Sequence, residues 1–126
     1  MGNMDSKVCL DTDVCIAILR KEFRAEEIRP LIEERDVCIS VITMFELLLR
    51  KTNTNIVEQF LMYLPHMVID DVVARKTSSL HKELESKGEI IDLRDLFIAA
   101  TCLAKDCQLL TFNKKHFERI NDLRLM

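Results

Sequence analysis

Four oxygen-bearing side chains stand where apolar segments turn into helices or loops. Asp11 follows the short apolar run 7–10, and Glu46 is the one acid in the apolar run 41–51. Asp95 opens an apolar helical stretch, and Asn113 follows the run 108–111. Carboxylates brought together in this way repel one another and raise each other's pKa values. A hard divalent cation relieves the repulsion, and oxygen donors that leave room for water suit Mg²⁺ or Mn²⁺. Such an ion lowers the pKa of a bound water, orients it for in-line attack on a phosphodiester and stabilises the leaving oxygen. It would also let a chain of net charge −3 bind a polyanion, because the ion inverts the local field.

These residues need elements to position them, and the stretch 91–117 shows how. Asp92 is placed to cap a helix with Asp95 at its third position, where a carboxylate meets backbone N–H groups and the positive end of the dipole. Ile98, Ala99, Cys102 and Leu103 share one small-residue face that predicts close packing on a sheet. Lys105-Asp106 ends the helix, 108–111 reads as a buried strand, and 114–117 reads as a short helical turn. Earlier in the chain, 7–10 is a strand and Asp11-Thr12-Asp13 offers three candidate caps for a helix over 14–20. An amphipathic helix over 25–34 points Ile28, Leu31 and Ile32 inward. Val37-Cys38-Ile39 is a second strand, and Ser40 caps the helix 41–51. A helix over 53–64 stops at Pro65. A third strand over 67–69 precedes Asp71, the expected cap of a helix over 72–87 that ends at Gly88. Residues 123–125 form a possible edge strand. Short strands alternating with helices predict a three-layer α/β/α sandwich around a parallel sheet of four to five strands. Open sheets of this kind bind ligands outside the carboxyl ends of their strands, which is where Asp11 and Asn113 fall.

The 126 residues, 48% hydrophobic, fit a single domain spanning 1–126, with a frayed polar tail at 1–6. At a net charge of −3, no strongly basic surface announces nucleic acid by itself. Five cysteines form an odd set with no C-x-x-C pair, so they read as small buried hydrophobes in a reducing cytoplasm. No signal peptide is recognisable, and no apolar run reaches the roughly 18 residues of a membrane span. At this level Asp11 and Asp13 could be simple caps, and Glu46 could lie on an exposed helix edge. A receiver-like phosphoacceptor domain, with Asp11 and Asp13 as its acid pair and Asp70 as acceptor, is a competing reading. It leaves Glu46 and Asp95 without a role.

Four segments carry a family resemblance: LDTDV at 10–14, ISVITMFEL at 39–47, DLFIAA at 95–100 and LLTFNKKHF at 109–117. In this order and at these separations the chain resembles a PIN domain, and most of all the small VapC-type ribonuclease toxins of toxin–antitoxin pairs. The resemblance implies a Mg²⁺-dependent endoribonuclease, with Mn²⁺ able to substitute. It assigns Asp11, Glu46 and Asp95 as the acidic metal-binding and catalytic core, with Thr12 supporting the first acid. Asn113 matches the fourth acidic place, and Asp13 stands as a further supporting group where Asn or Ser is more usual. His116 stands where a further acid often precedes the last Phe. Arg94, Lys114 and Lys115, beside the expected crevice, are candidates to hold RNA phosphates. The implied partners are RNA, a VapB-like antitoxin covering the crevice, and a second copy of the chain as a homodimer. The amphipathic helices 25–34 and 53–64 are candidate contact surfaces, and no membrane is involved. A catalytically inactive PIN fold kept as a binding module is the remaining alternative.

Overall fold

The computed structural model describes residues 7–126, so the tail at 1–6 lies outside the described residues. Four short parallel strands form one sheet: β1 (Lys7–Leu10), β2 (Asp36–Ser40), β3 (His66–Met67) and β4 (Gln108–Leu110). The helices are α1 (Thr12–Leu19), α2 (Phe23–Ile32), α3 (Val41–Leu48), α4 (Thr54–Met62), α5 (Asp71–Ser86), α6 (Leu93–Lys105) and α7 (Lys114–Phe117).

The strands lie in the order β3-β2-β1-β4. From β1 the chain builds outward through β2 to β3 and then returns to the other side of β1 as β4. The strand order therefore reverses between β1 and β4, and the crevice above their carboxyl ends is the switch point where such sheets take ligands. The final segment extends the sheet beyond β4 by one parallel bridge, Leu109 to Leu125. There Leu109 N–H donates to Arg124 O and Met126 N–H donates to Leu109 O, each at 2.9 Å.

Alternation along the strands divides the core in two. Val8, Leu10, Ile39 and Leu110 point to one face and pack with Val14, Cys15, Ile28, Leu47, Val57 and Leu61. Cys9 and Leu109 point to the other and pack with Val73, Leu80, Leu84, Leu96, Ile98, Ala99 and Cys102. Each fully buried aliphatic side chain contributes roughly 1.5–3 kcal/mol, so both layers are needed to hold the sheet. In α6 the small face comprises Ile98, Ala99, Ala100, Thr101 and Cys102, whereas Leu103 is only half-buried. That helix closes on left-handed Asp106, with the Cys107 N–H returning to the Cys102 carbonyl at 2.9 Å.

All five cysteines are free, and four are buried. Cys38 and Cys107 bring their Sγ atoms to 3.7 and 3.5 Å from Met67 Sδ, a soft layer beneath the sheet. Contact with Cys107 lowers the Cys38 pKa, but contact with Cys9 and burial outweigh it and push the thiol to about 12. These are inert packing groups.

Several boundaries differ from those the pattern predicts. The strand expected at 67–69 is His66–Met67, because its partner β2 ends at Ser40, which pairs with Met67 and then turns into α3. Asp70, not Asp71, caps α5, accepting from Val73 N–H at 3.0 Å. The helix expected at 25–34 runs Phe23–Ile32 and leaves Leu31 43% exposed, so only Ile28 is fully inside. The helix 41–51 ends at Leu48, where Leu49 and Arg50 N–H groups switch to tighter bonds with Glu46 and Leu47 carbonyls. The helix 53–64 is Thr54–Met62, entered through left-handed Asn53.

Candidate functional site

β1 ends at Leu10, and Asp11 turns the chain from strand to helix with extended backbone (φ −69°, ψ 159°). Its N–H still donates to Leu110 O at 2.9 Å, so the last rung between β1 and β4 fixes this residue at the switch point. Each carboxylate oxygen accepts one hydrogen bond and keeps a lone pair. Oδ1 accepts from Thr12 N–H at 2.8 Å, and Oδ2 accepts from the Thr111 hydroxyl at 2.7 Å. Asp11 is 6% exposed. Burial raises its pKa, while Thr111, the Thr12 N–H and His116 pull it back.

Glu46 arrives from α3, which Ser40 caps by accepting Thr43 N–H at 3.1 Å. The apolar neighbours Phe45, Leu48 and Leu49 are exposed, whereas Glu46 is the partly shielded residue, with its side chain 22% exposed. Its Oε1 accepts from Thr12 Oγ at 2.7 Å. Thr12 Oγ also lies 3.0 Å from Thr43 Oγ. A hydroxyl has one proton, and the shorter bond to a carboxylate takes it, so Thr43 donates to Thr12. Thr43 and Thr12 thus form a hydroxyl line from the α3 cap to Glu46. Glu46 Oε2 lies 3.6 Å from an Arg94 guanidinium nitrogen.

Asp95 stands at the third position of α6, after Asp92 caps the helix through Arg94 N–H at 2.9 Å. Its Oδ2 lies 2.9 Å from His116 Nε2. That nitrogen is buried yet makes no hydrogen bond, so the approach is electrostatic, with no N–H aimed at the carboxylate. Burial first, then the charge of Asp11, raise the Asp95 pKa; His116 lowers it, and Asp92 and Glu46 add to the rise. Asp11, Glu46 and Asp95, far apart in sequence, therefore share one electrostatic site, with Asp11 and Asp95 at the positive ends of α1 and α6 and Glu46 reaching in from the last turn of α3.

Asp13 reaches across to the end of β4, where its Oδ2 accepts Phe112 N–H at 3.2 Å and its Oδ1 is buried without a partner. Burial, then the Asp11 charge, push its pKa to about 6 against the pull of the Phe112 N–H, the Val14 N–H and Arg24. Asn113 opens α7, its N–H donating to Thr111 Oγ at 3.0 Å and its side chain leaving the helix uncapped. Lys114 and Lys115 are exposed and line, with Thr111, Phe112 and Asn113, an open groove of about 430 Å³. Arg94 is more constrained, bridging Glu46 and Asp92. Asp70 is not in this group. It binds Lys105 Nζ at 2.6 Å as well as capping α5, and those contacts, Lys105 foremost, hold its carboxyl below the usual range. That removes the acceptor of the receiver-like reading.

Thr43 and Thr111 are the positioning groups that sequence reasoning did not single out. The available signal was a hydroxyl inside an otherwise apolar run that could pack as a strand end or helix turn. Both side chains are buried.

Among the described residues, no three His, Cys, Asp or Glu side chains already surround one point as a finished ligand set. The donor chemistry nevertheless fits a hard cation. Burial raises the Asp11 pKa, burial and the charge of Asp11 foremost raise that of Asp95, and Asp13 holds a buried oxygen without a donor.

The family model described as PIN domain matches residues 8–123. The chain is 34% identical to Ribonuclease VapC1 of Methanocaldococcus jannaschii, over 96% of this chain and 86% of that protein. It is 26% identical to the tRNA(fMet)-specific endonuclease VapC of Shigella flexneri, over 94% of this chain and 95% of that one. Among solved structures, the DNA-bound VapBC of Salmonella typhimurium superposes with a TM-score of 0.84 at 30% identity, covering 95% of this chain and 96% of that one.

Proposed function

Because the chain belongs to the PIN domain family, we propose that it is a ribonuclease of the VapC type, hydrolysing RNA phosphodiesters at the Asp11–Glu46–Asp95 crevice. The observation that carries this reading is the convergence of three carboxylates, from the end of β1, from α3 and from the start of α6, on the switch point of a parallel sheet. Asp11, Glu46 and Asp95 would hold a divalent cation, Mg²⁺ or Mn²⁺, with Asn113 as a neutral oxygen nearby. When bound, that ion supplies an activated water and stabilises charge on the leaving oxygen.

The chain's own residues do the rest. Thr111 and the Thr12 N–H fix both oxygens of Asp11, and the Thr43–Thr12 line fixes Glu46. Asp13 ties the first turn of α1 to the loop after β4. Lys114 and Lys115, unencumbered at the groove mouth, hold phosphates without reading sequence. Specificity would come from RNA shape and single-stranded loops.

The relatives that are VapBC complexes support a VapB-like antitoxin as partner. The exposed apolar residues Phe45, Leu48 and Leu49 on and after α3 and Ile56, Met62 and Tyr63 on and after α4 form the surface it would cover. A homodimer is part of the same reading. An RNA substrate and unpaired thiols suit the cytoplasm, and no described helix is long and apolar enough to cross a membrane.

The test is incubation of the partner-free protein with a structured RNA pool in Mg²⁺, Mn²⁺ or EDTA. Discrete products that vanish with EDTA, and with added antitoxin, support the proposal. Metal binding without cleavage of any RNA, and without toxicity on induced expression, would favour an inactive binding module.

A further inference from the structure

His116 sits on α7, the four-residue turn that follows the end of β4. Its backbone N–H donates to Asn113 O at 3.1 Å, and its ring meets buried Phe117 edge-on at 5.5 Å. The ring is therefore held in place by local structure rather than by the acid it faces. Its Nε2 is buried, makes no hydrogen bond, and lies 2.9 Å from Asp95 Oδ2. A hydrogen-bonded pair at that distance would aim the N–H at the oxygen. Two atoms bound side by side to one octahedral cation at about 2.1 Å are also roughly 3 Å apart, and neither points at the other.

From this arrangement we propose that His116 Nε2 is a nitrogen ligand of the divalent cation, beside Asp95, and that it shifts the site's preference from Mg²⁺ toward first-row transition ions. An all-oxygen set suits Mg²⁺, whereas imidazole favours ions further along the transition series. The inference rests on the metal-dependent reading above and adds to it a residue and a selectivity.

Binding of Co²⁺ and of Mg²⁺ is measured on the whole protein by equilibrium dialysis, and pulsed EPR on the Mn²⁺ form reads nitrogen coupling. The variants are Asp11→Asn, His116→Gln and His116→Asp, with melting temperatures to verify folding. The wild type shows histidine nitrogen coupling. In His116→Gln the coupling is lost and Co²⁺ binding weakens about 10-fold or more, while Mg²⁺ binding stays within about two-fold. His116→Asp binds both ions but prefers Mg²⁺ more strongly than the wild type does. No nitrogen coupling in a wild type that binds Mn²⁺, or equal weakening of Co²⁺ and Mg²⁺, overturns the ligand assignment alone. Tightening of both ions in His116→Gln does the same and marks the imidazole as a counter-cation. A wild type that binds neither ion, or an Asp11→Asn protein that binds as well as wild type, overturns the metal site itself.

Discussion

Thr111 donates its hydroxyl proton to Asp11 while its oxygen accepts the Asn113 N–H, so one side chain couples the first acid to the loop after β4. Thr111→Val keeps the volume and removes the bond. Because that bond opposes the burial that raises the Asp11 pKa, the acid limb of the cleavage pH profile should move to higher pH. The maximal rate should fall about 10- to 100-fold, and stability should drop by about 1–3 kcal/mol for the unpaired oxygen. An unshifted profile would remove Thr111 from the site. Asp13 makes a second prediction. Its folded pKa of about 6 lies above its ordinary 3.8, so between those values the folded state binds more protons than the unfolded chain. Stability of the metal-free protein therefore falls as pH rises through that window and stays lower above it. Asp13→Asn keeps an acceptor for the Phe112 N–H and removes the charge. It should flatten that decline and raise stability at pH 7 by about 1 kcal/mol, allowing for partial solvent screening. Melting temperature against pH checks both. At this scale the acids were legible because a carboxylate beside an apolar run is conspicuous. Thr43 and Thr111 were not, because a hydroxyl in such a run looks the same whether it packs or positions.

α3 depends on one cap. Ser40 is the last residue of β2, and its hydroxyl accepts the Thr43 N–H that starts the helix carrying Glu46. Ser40→Ala should lower stability by about 1 kcal/mol. It should also reduce cleavage, because Thr43 and Thr12 lose the anchor of their line to Glu46; retention of full activity would show that line to be incidental. The elements themselves could be read from the sequence, since strand runs alternate with helical ones and small residues mark the packed face of α6. What could not be read were matters of register. Two adjacent acids, Asp70 and Asp71, look equally fit to cap α5, and only the backbone direction into the helix chooses Asp70. Val68 and Ile69 have strand-like side chains but no partner, because β2 has already become α3. Leu31 shares its helical spacing with Ile28 and Ile32 yet is 43% exposed, so the packed face of α2 is narrower than the apolar spacing suggests.

For the whole molecule, the reversal of strand order beside β1 explains why acids distant in sequence face one crevice, and it follows from a topology that alternation alone leaves open. The exposed apolar residues are where the antitoxin of the proposed function would sit. Met62 and Tyr63 are 82% and 85% exposed, and Phe45 and Leu48 of α3 and Leu49 just after it are exposed as well. Sequence reasoning pointed to α2 and α4 for this role, and the exposed apolar residues of α3 extend the surface toward Glu46. Leu48→Lys with Met62→Glu should leave the melting temperature unchanged within a degree or two while weakening antitoxin binding by more than about 10-fold, roughly 1.4 kcal/mol; calorimetric titration with the antitoxin reads this directly. The claim beneath all of these is that the three carboxylates form one hydrolytic site. The most direct measurement is single-turnover cleavage of one RNA by wild type and Asp95→Asn across a Mg²⁺ or Mn²⁺ series, with the melting temperature of each. The site requires the variant to lose cleavage at every metal concentration while melting no lower than wild type, since it sheds a charge that Asp11 and Glu46 oppose. A folded Asp95→Asn protein that cuts at the wild-type rate would contradict it.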